Sequence, residues 1–277
     1  GMNSYVDWKK GFDKDDGNKS HHPLNTGEIQ PDSAKKVIYG LTAGLFIYLL
    51  GLTYTDPAAV GLSVAMVASG IAYNYLGKHL ALKSIPIAIA HTLVFFIPYY
   101  LYSSTIEYWV LALTVAYFIH HVYQIAISGD IKDIKQDEAS ILNKLGMYVE
   151  SNGAQIDMFV SSARSLAVAY SLAIFQVIFT IFAAQWTIGR QARMLITLVL
   201  AAVMIYLVDK MLSQGVFVRA NRLKYISLKE MVGYLMMHSV SMVVIGVEGF
   251  AILVACMLVY LAVVSKFIWG TYLVPDV

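Results

Sequence analysis

The sequence predicts an all-α, polytopic transmembrane helical bundle, and three observations support this fold class. Of the 277 residues, 58% are hydrophobic and only 14% are charged, whereas soluble domains have roughly 45–50% apolar and about 25% charged residues. The mean hydropathy is +0.63. The apolar residues also form long stretches without strand-like alternation, so the spans are predicted to be helices. The net charge of +2 is too small to indicate a nucleic-acid partner.

Seven apolar stretches are long enough to cross a bilayer. They cover residues 37–54, 58–76, 85–103, 107–127, 161–185, 194–212 and 231–265. At about 1.5 Å per residue, the last stretch is longer than a bilayer is thick. It is therefore predicted to be one tilted helix or two pieces broken near residues 246–249. The sequence thus predicts seven spans, or eight if the last stretch is divided.

Basic residues lie mostly in the connections on one side of these stretches. Fifteen Lys and Arg residues fall within residues 1–36, the loops near 77–84 and after 127, and segment 213–230. On the opposite side, only Arg190 and Arg193 are clearly placed. Since basic loops are retained in the cytoplasm, we predict a multi-pass cell-membrane protein whose charged loops face the cytoplasm.

Two of these loops also concentrate acidic residues. The clusters are Asp7, Asp13, Asp15 and Asp16, and then Asp130, Asp133, Asp137 and Glu138. On a helix, Asp130, Asp133 and Asp137 would share one face, where their carboxylates repel unless a cation lies between them. Hard oxygen ligands of this kind favour Mg²⁺. A solvated acidic helix start is the simpler alternative.

Four short segments then follow one another in a specific order. They are Asn3-Ser4-Tyr5-Val6-Asp7-Trp8-Lys9-Lys10-Gly11-Phe12-Asp13, His22-Pro23-Leu24-Asn25-Thr26-Gly27-Glu28-Ile29, the stretch from Tyr73 to Lys83, and Asp130-x-x-Asp133-x-x-x-Asp137. In this order they resemble the first aspartate-rich motif, the Arg-Pro-Leu-x-x-Gly-x-Ile stretch, the Tyr-x-x-x-Lys segment and the second aspartate-rich motif of the UbiA superfamily of intramembrane prenyltransferases.

The chain also departs from the family pattern. Ser4 follows Asn3 where the family often has Asp, His22 replaces Arg, and Ala139 begins a stretch that replaces the usual Thr-Leu-Pro. Family members have nine spans, two of them before the first motif. We therefore expect residues 1–277 to form a single prenyltransferase-like domain that lacks the first two helices.

The resemblance implies Mg²⁺-dependent transfer of a prenyl group from an allylic isoprenoid diphosphate to a lipophilic or aromatic acceptor. The Gly-x-Asp form of the first motif favours a quinone precursor. The implied catalytic residues are Asp7, Asp133 and Asp137, and the implied metal ligands are Asp7, Asp13, Asp130, Asp133 and Asp137. The candidate substrate-binding residues are Asn3, Tyr73, Asn74, Lys78, Lys83 and Tyr123. Membrane lipid is the further expected partner, and neither nucleic acid nor an obligate protein partner is expected.

Two other functions stay open at this point. A cation-coupled transporter would also use acidic residues, although such sites usually lie near the bilayer midplane on broken helices. A non-catalytic member of the same family is the second alternative.

Among other polar residues, His120 and His121 point about 100° apart on a helix, so one is predicted to form a hydrogen bond within the bundle. His238 is predicted to make a contact between helices.

Overall fold

The computed structural model describes residues 2–11, 23–76, 82–103, 105–132, 134–135, 140–151, 156–187 and 190–269. The chain divides into two compact units, residues 1–104 and 105–277. Most described residues are helical, which confirms the predicted all-α membrane bundle.

The described residues of the first unit form five helices. They are α1 (Met2–Lys9), α2 (Pro23–Thr26), α3 (Pro31–Thr53), α4 (Pro57–Leu76) and α5 (Ser84–Tyr102). Three of them begin with proline, which lacks the amide hydrogen that the first helical turn leaves unsatisfied. Before α4, the Asp56 carboxylate accepts hydrogen bonds from the amides of Ala58 (2.8 Å) and Ala59 (3.1 Å), which caps the helix.

The second unit contains the remaining helices. They are α6 (Tyr108–Tyr123), a π-helical turn (Gln124–Gly129), α7 (Asp130–Lys132), α8 (Ile141–Lys144), α9 (Ala163–Gln185), α10 (Arg190–Leu212) and α11 (Arg219–Trp269). Helix α6 packs against α9, and α10 packs against both α9 and α11. Their shared core includes Ile127, Ile131, Met204 and Met236, all buried. The residues around the second acidic segment are thus part of the main hydrophobic core of this unit.

A small antiparallel sheet, which the sequence did not predict, follows the second acidic segment. Its strands are β1 (Met147–Ser151), β2 (Asp157–Ser161) and β3 (Gly215–Val216), in the order β1-β2-β3. Met147 pairs with Ser161 at one end of β1, and Met158 of β2 pairs with Val216. A hydrogen bond from Lys135 and a weaker contribution from Ser151 hold the pKa of the Asp157 carboxyl below its usual value.

The helices agree closely with the predicted spans. Six described helices are long and apolar enough to cross a membrane, beginning with Pro31–Thr53 and ending with Gln191–Leu212. Of the two alternatives for the last stretch, the structure has the divided one, because α11 is interrupted at Gly246 (φ 70°, ψ 175°). This left-handed conformation favours glycine. The described residues thus include six helices of membrane length, together with the shorter apolar helix Ile245–Val259.

Candidate functional site

The first acidic segment begins with the short helix α1. Its Tyr5 and Val6 pack with Leu24 of α2, and this contact seats the helix against the first unit. Asp7 follows directly and is only 2% exposed, although it is a carboxylate. The helix ends at Lys9, and the positive φ of 86° at Gly11 allows the chain to turn away.

Helix α1 contacts the end of α4, where two candidate substrate-binding residues lie. Lys10 Nζ donates a hydrogen bond of 2.7 Å to the backbone carbonyl of Tyr75, and this cation also suits the negative end of the helix dipole. Tyr73 is half-buried on the same turn. Asn74 Nδ2 donates to the carbonyl of Gly70 at 2.6 Å. The structure therefore brings the helix that carries Asp7 to the turn that carries Tyr73 and Asn74.

The other predicted residues of this unit are only partly described. Asn3 lies in α1. Lys83 is half-buried and immediately precedes α5. Asp13 and Lys78 lie outside the described residues, and their predicted roles stay predictions.

The second acidic segment follows a π-helical turn at the end of α6. Asp130 comes directly after this turn and is 2% exposed. A shared face for Asp130, Asp133 and Asp137 would need one continuous helix. The described residues do not form one, because α7 covers Asp130–Lys132 and residues 134–135 form a turn. Asp133 and Asp137 themselves lie outside the described residues.

Two side chains bond carbonyl groups of this segment. Arg219 Nε donates to the carbonyl of Lys132 at 3.1 Å, and Asn143 Nδ2 donates to the carbonyl of Ile134 at 3.1 Å. A cavity of about 460 Å³ opens beside this turn and is lined by Ile134, Lys135, Asn143, Tyr148, Val149 and Ser151.

A cluster of buried polar side chains lies against the π-helical turn. Glu230 Oε1 accepts hydrogen bonds from Ser128 Oγ at 2.7 Å and from Lys229 Nζ at 3.2 Å. The other oxygen, Oε2, lies 3.1 Å from His120 Nε2. Lys229 is fully buried, and its ammonium lies 3.8 Å from the centre of the Tyr123 ring. We call these five residues the buried polar cluster.

The predicted candidate Tyr123 is thus placed in the core beneath Lys229. The predictions for the histidines are confirmed. His121 Nδ1 lies 3.1 Å from Gln124 Oε1, and His238 Nδ1 lies 3.1 Å from the Tyr117 hydroxyl of another helix. The contact between His238 and Tyr117 joins α11 to α6.

Lys229 and Glu230 were not identified from the sequence as site residues. Lys229 appeared there as one of the basic residues of a loop, whereas it is fully buried within α11. The signal that could have found them is an adjacent Lys-Glu pair directly before an apolar stretch. Ionisable residues at such positions usually pair with each other or face the interior of the bundle.

Close packing at Gly233 gives a first testable prediction. A Cβ added there would lie 2.8 Å from His120 Cε1 and 3.0 Å from His120 Nδ1. Gly233→Ala should therefore displace the imidazole and lower the free energy of unfolding by about 1–3 kcal/mol. Gly61→Ala is the matched control, because a Cβ on that helical glycine meets no atom within 4 Å. Thermal unfolding in detergent measures both, and equal midpoints would contradict the packing seen here.

The donor chemistry of the predicted metal ligands suits a hard divalent cation. Asp7 and Asp130 are carboxylates, the ligand type that Mg²⁺ prefers, and both are buried at helix termini. Among the residues that the structure describes, no group of three or more His, Cys, Asp or Glu side chains forms a metal cluster. Three of the five predicted ligands (Asp13, Asp133 and Asp137) are not among those residues.

Comparison with known proteins identifies the chain. The model of the UbiA prenyltransferase family matches residues 1–213, which include both acidic segments and all six membrane-length helices. No curated protein and no solved structure matches the chain. The matched region covers most of the chain, and the helices that it contains are those of a multi-pass membrane protein. The chain therefore belongs to the UbiA prenyltransferase family.

Proposed function

We propose that this protein transfers a prenyl group from an allylic isoprenoid diphosphate to an aromatic acceptor of the quinone-precursor type within the membrane. The observation that carries the proposal is the family match over residues 1–213, which spans both acidic segments. The proposed setting is the cell membrane, with these segments facing the cytoplasm, as the distribution of basic residues suggests.

The proposed metal ligands are Asp7 and Asp13 of the first acidic segment and Asp130, Asp133 and Asp137 of the second. Asp7, Asp133 and Asp137 are the proposed catalytic residues. Their support is the donor chemistry, together with the burial of Asp7 and Asp130. Bound Mg²⁺ would supply positive charge that neutralises a departing diphosphate.

The proposed substrate contacts come from polar and cationic side chains next to these segments. Lys78 and Lys83 are proposed to pair with diphosphate oxygens, and Asn3, Tyr73, Asn74 and Tyr123 to complete the binding site. Because Asn74 Nδ2 already donates within α4, its amide oxygen is the atom proposed to meet the substrate. The long apolar helices provide an environment for the prenyl chain and exclude water from an allylic cation.

The reaction breaks the bond between the allylic carbon and the diphosphate oxygen, and the electron pair leaves with diphosphate. A ring carbon or heteroatom of the acceptor then supplies the electron pair for the new bond and loses a proton. The products are one prenylated acceptor, one diphosphate and one proton, so no oxidant or reductant is required.

A turnover assay on the purified chain in lipid nanodiscs tests this proposal. Labelled farnesyl and geranylgeranyl diphosphates are incubated with a panel of aromatic acceptors, with Mg²⁺ or with EDTA. We expect equal amounts of released diphosphate and labelled lipophilic product, both abolished by EDTA. Diphosphate binding without release would instead indicate a non-catalytic member. Cation flux into liposomes without turnover would indicate a transporter, and either result would contradict the proposal.

A further inference from the structure

Helix α11 begins beyond the residues that the family model matches, yet its first turns hold the second acidic segment at two points. Arg219 Nε bonds the carbonyl of Lys132 at 3.1 Å. About three turns further along α11, Glu230 accepts the hydrogen bond of 2.7 Å from Ser128. These two contacts lie on either side of Asp130 in the chain, so α11 fixes the backbone both before and after this residue.

Besides Ser128, two other side chains lie close to the Glu230 carboxylate. Lys229 Nζ lies 3.2 Å from one oxygen, and His120 Nε2 lies 3.1 Å from the other. The side chain of Lys229 is completely buried, and that of Glu230 is 12% exposed. Since two charges removed from water are retained only with well-formed partners, the position of Glu230 is closely defined. Ser128 therefore bonds an acceptor that has little freedom to move.

The segment held in this way has an unusual backbone. A π-helical turn covers Gln124–Gly129 and ends directly before Asp130. A Cβ at Gly129 would lie 3.3 Å from the carbonyl oxygen of Gln124, five residues earlier in the same turn, so the neighbouring backbone is close there. π-Helical turns are rare, less favourable than α-helix, and frequent at functional sites. Contacts from outside the turn are needed to maintain it, and the Ser128–Glu230 hydrogen bond is such a contact.

We propose that Arg219, Ser128 and Glu230 are positioning residues, with Lys229 holding Glu230, and that together they orient Asp130 toward a divalent cation. The proposal rests on the proposed function, because the cation is that of the diphosphate site. None of these residues needs to touch the substrate. They act through the backbone that carries Asp130, as outer partners orient the ligands of other metal sites.

Binding of Mn²⁺, a spectroscopic substitute for Mg²⁺, tests the proposal without relying on turnover. Electron paramagnetic resonance measures the Mn²⁺ dissociation constant of the full chain in nanodiscs. The added substrate analogue is farnesyl thiodiphosphate, which does not readily lose its diphosphate group. Ser128→Ala and Arg219→Gln should each raise this constant about tenfold. Ser239→Ala is the matched control. Ser239 lies on α11, and its buried hydroxyl lies 3.1 Å from the hydroxyl of Thr197 on α10. It should change the constant less than twofold.

The outcomes separate this proposal from the proposed function. If the wild-type chain binds no Mn²⁺ with the analogue, the diphosphate site is contradicted, and the positioning role with it. If the wild type binds Mn²⁺ and Ser128→Ala and Arg219→Gln bind it as tightly as Ser239→Ala does, only the positioning role is overturned. An equal loss of Mn²⁺ affinity in Ser128→Ala and Ser239→Ala would show a general effect on the fold and would also overturn the positioning role.

Discussion

Replacing Asp130 by Asn is expected to lower the rate of prenyl transfer about 1,000-fold, which corresponds to about 4 kcal/mol of transition-state stabilisation. The two side chains have nearly the same shape, so the substitution mainly removes a negative charge. Asp130 is 2% exposed and follows a turn that the buried polar cluster fixes. A neutral amide there would bind a divalent cation poorly and leave the departing diphosphate less well neutralised. The measurement is diphosphate release at saturating Mg²⁺.

The matched control is Asp209→Asn. Asp209 is an exposed acid of the same unit, and its carboxylate accepts a hydrogen bond of 2.9 Å from the Tyr170 hydroxyl. This substitution removes the same charge without touching either acidic segment, so activity should stay within twofold of the wild type. An Asp130→Asn protein that retains more than a tenth of the wild-type rate would contradict the metal-binding role of Asp130.

Glu230→Ala is expected to lower the free energy of unfolding by about 3–5 kcal/mol. The substitution removes the acceptor of Ser128 and of Lys229 together. Lys229 then remains a fully buried ammonium with the Tyr123 ring as its described neighbour at 3.8 Å. An uncompensated buried charge is among the most destabilising changes that one substitution can make. Thermal or denaturant-induced unfolding in detergent measures this loss.

The double variant Lys229→Met/Glu230→Gln separates the lost charge balance from the lost contacts. It removes both charges but keeps a long apolar side chain and an amide oxygen that can accept from Ser128. We expect it to recover more than half of the stability that Glu230→Ala loses, since replacing both members of a buried pair is often nearly neutral. A Glu230→Ala loss below about 1 kcal/mol would show that Lys229 is not held by this carboxylate.

Hydropathy was sufficient to predict the helices of this protein because lipid leaves backbone groups no other partners. The apolar stretch 161–185 corresponds to α9 (Ala163–Gln185), and 194–212 corresponds to α10 (Arg190–Leu212). The break at Gly246 was also predictable, since the stretch was too long for one crossing and contained two glycines close together. The motifs further predicted the family, which the match over residues 1–213 shows.

The small sheet and the buried polar cluster could not be predicted in the same way. Strand β3 covers only Gly215–Val216 and pairs with residues far earlier in the chain. Lys229 and Glu230 resemble loop residues until their partners are known, and Ser128 lies 102 residues before Glu230. Local patterns do not specify such distant pairs. The contact of Arg219 with the carbonyl of Lys132 is of the same kind, because it joins residues 87 positions apart in the chain.

Mg²⁺-dependent binding of a non-hydrolysable allylic diphosphate tests the central claim most directly. Titration calorimetry of the full chain in nanodiscs with farnesyl thiodiphosphate would be run with Mg²⁺, with EDTA, and with Asp130→Asn and Asp209→Asn beside the wild type. The proposed function predicts tight binding that requires Mg²⁺, is lost in Asp130→Asn and is kept in Asp209→Asn. Absence of binding in the wild type with Mg²⁺, or binding equally tight in EDTA, would contradict a metal-dependent prenyl diphosphate site.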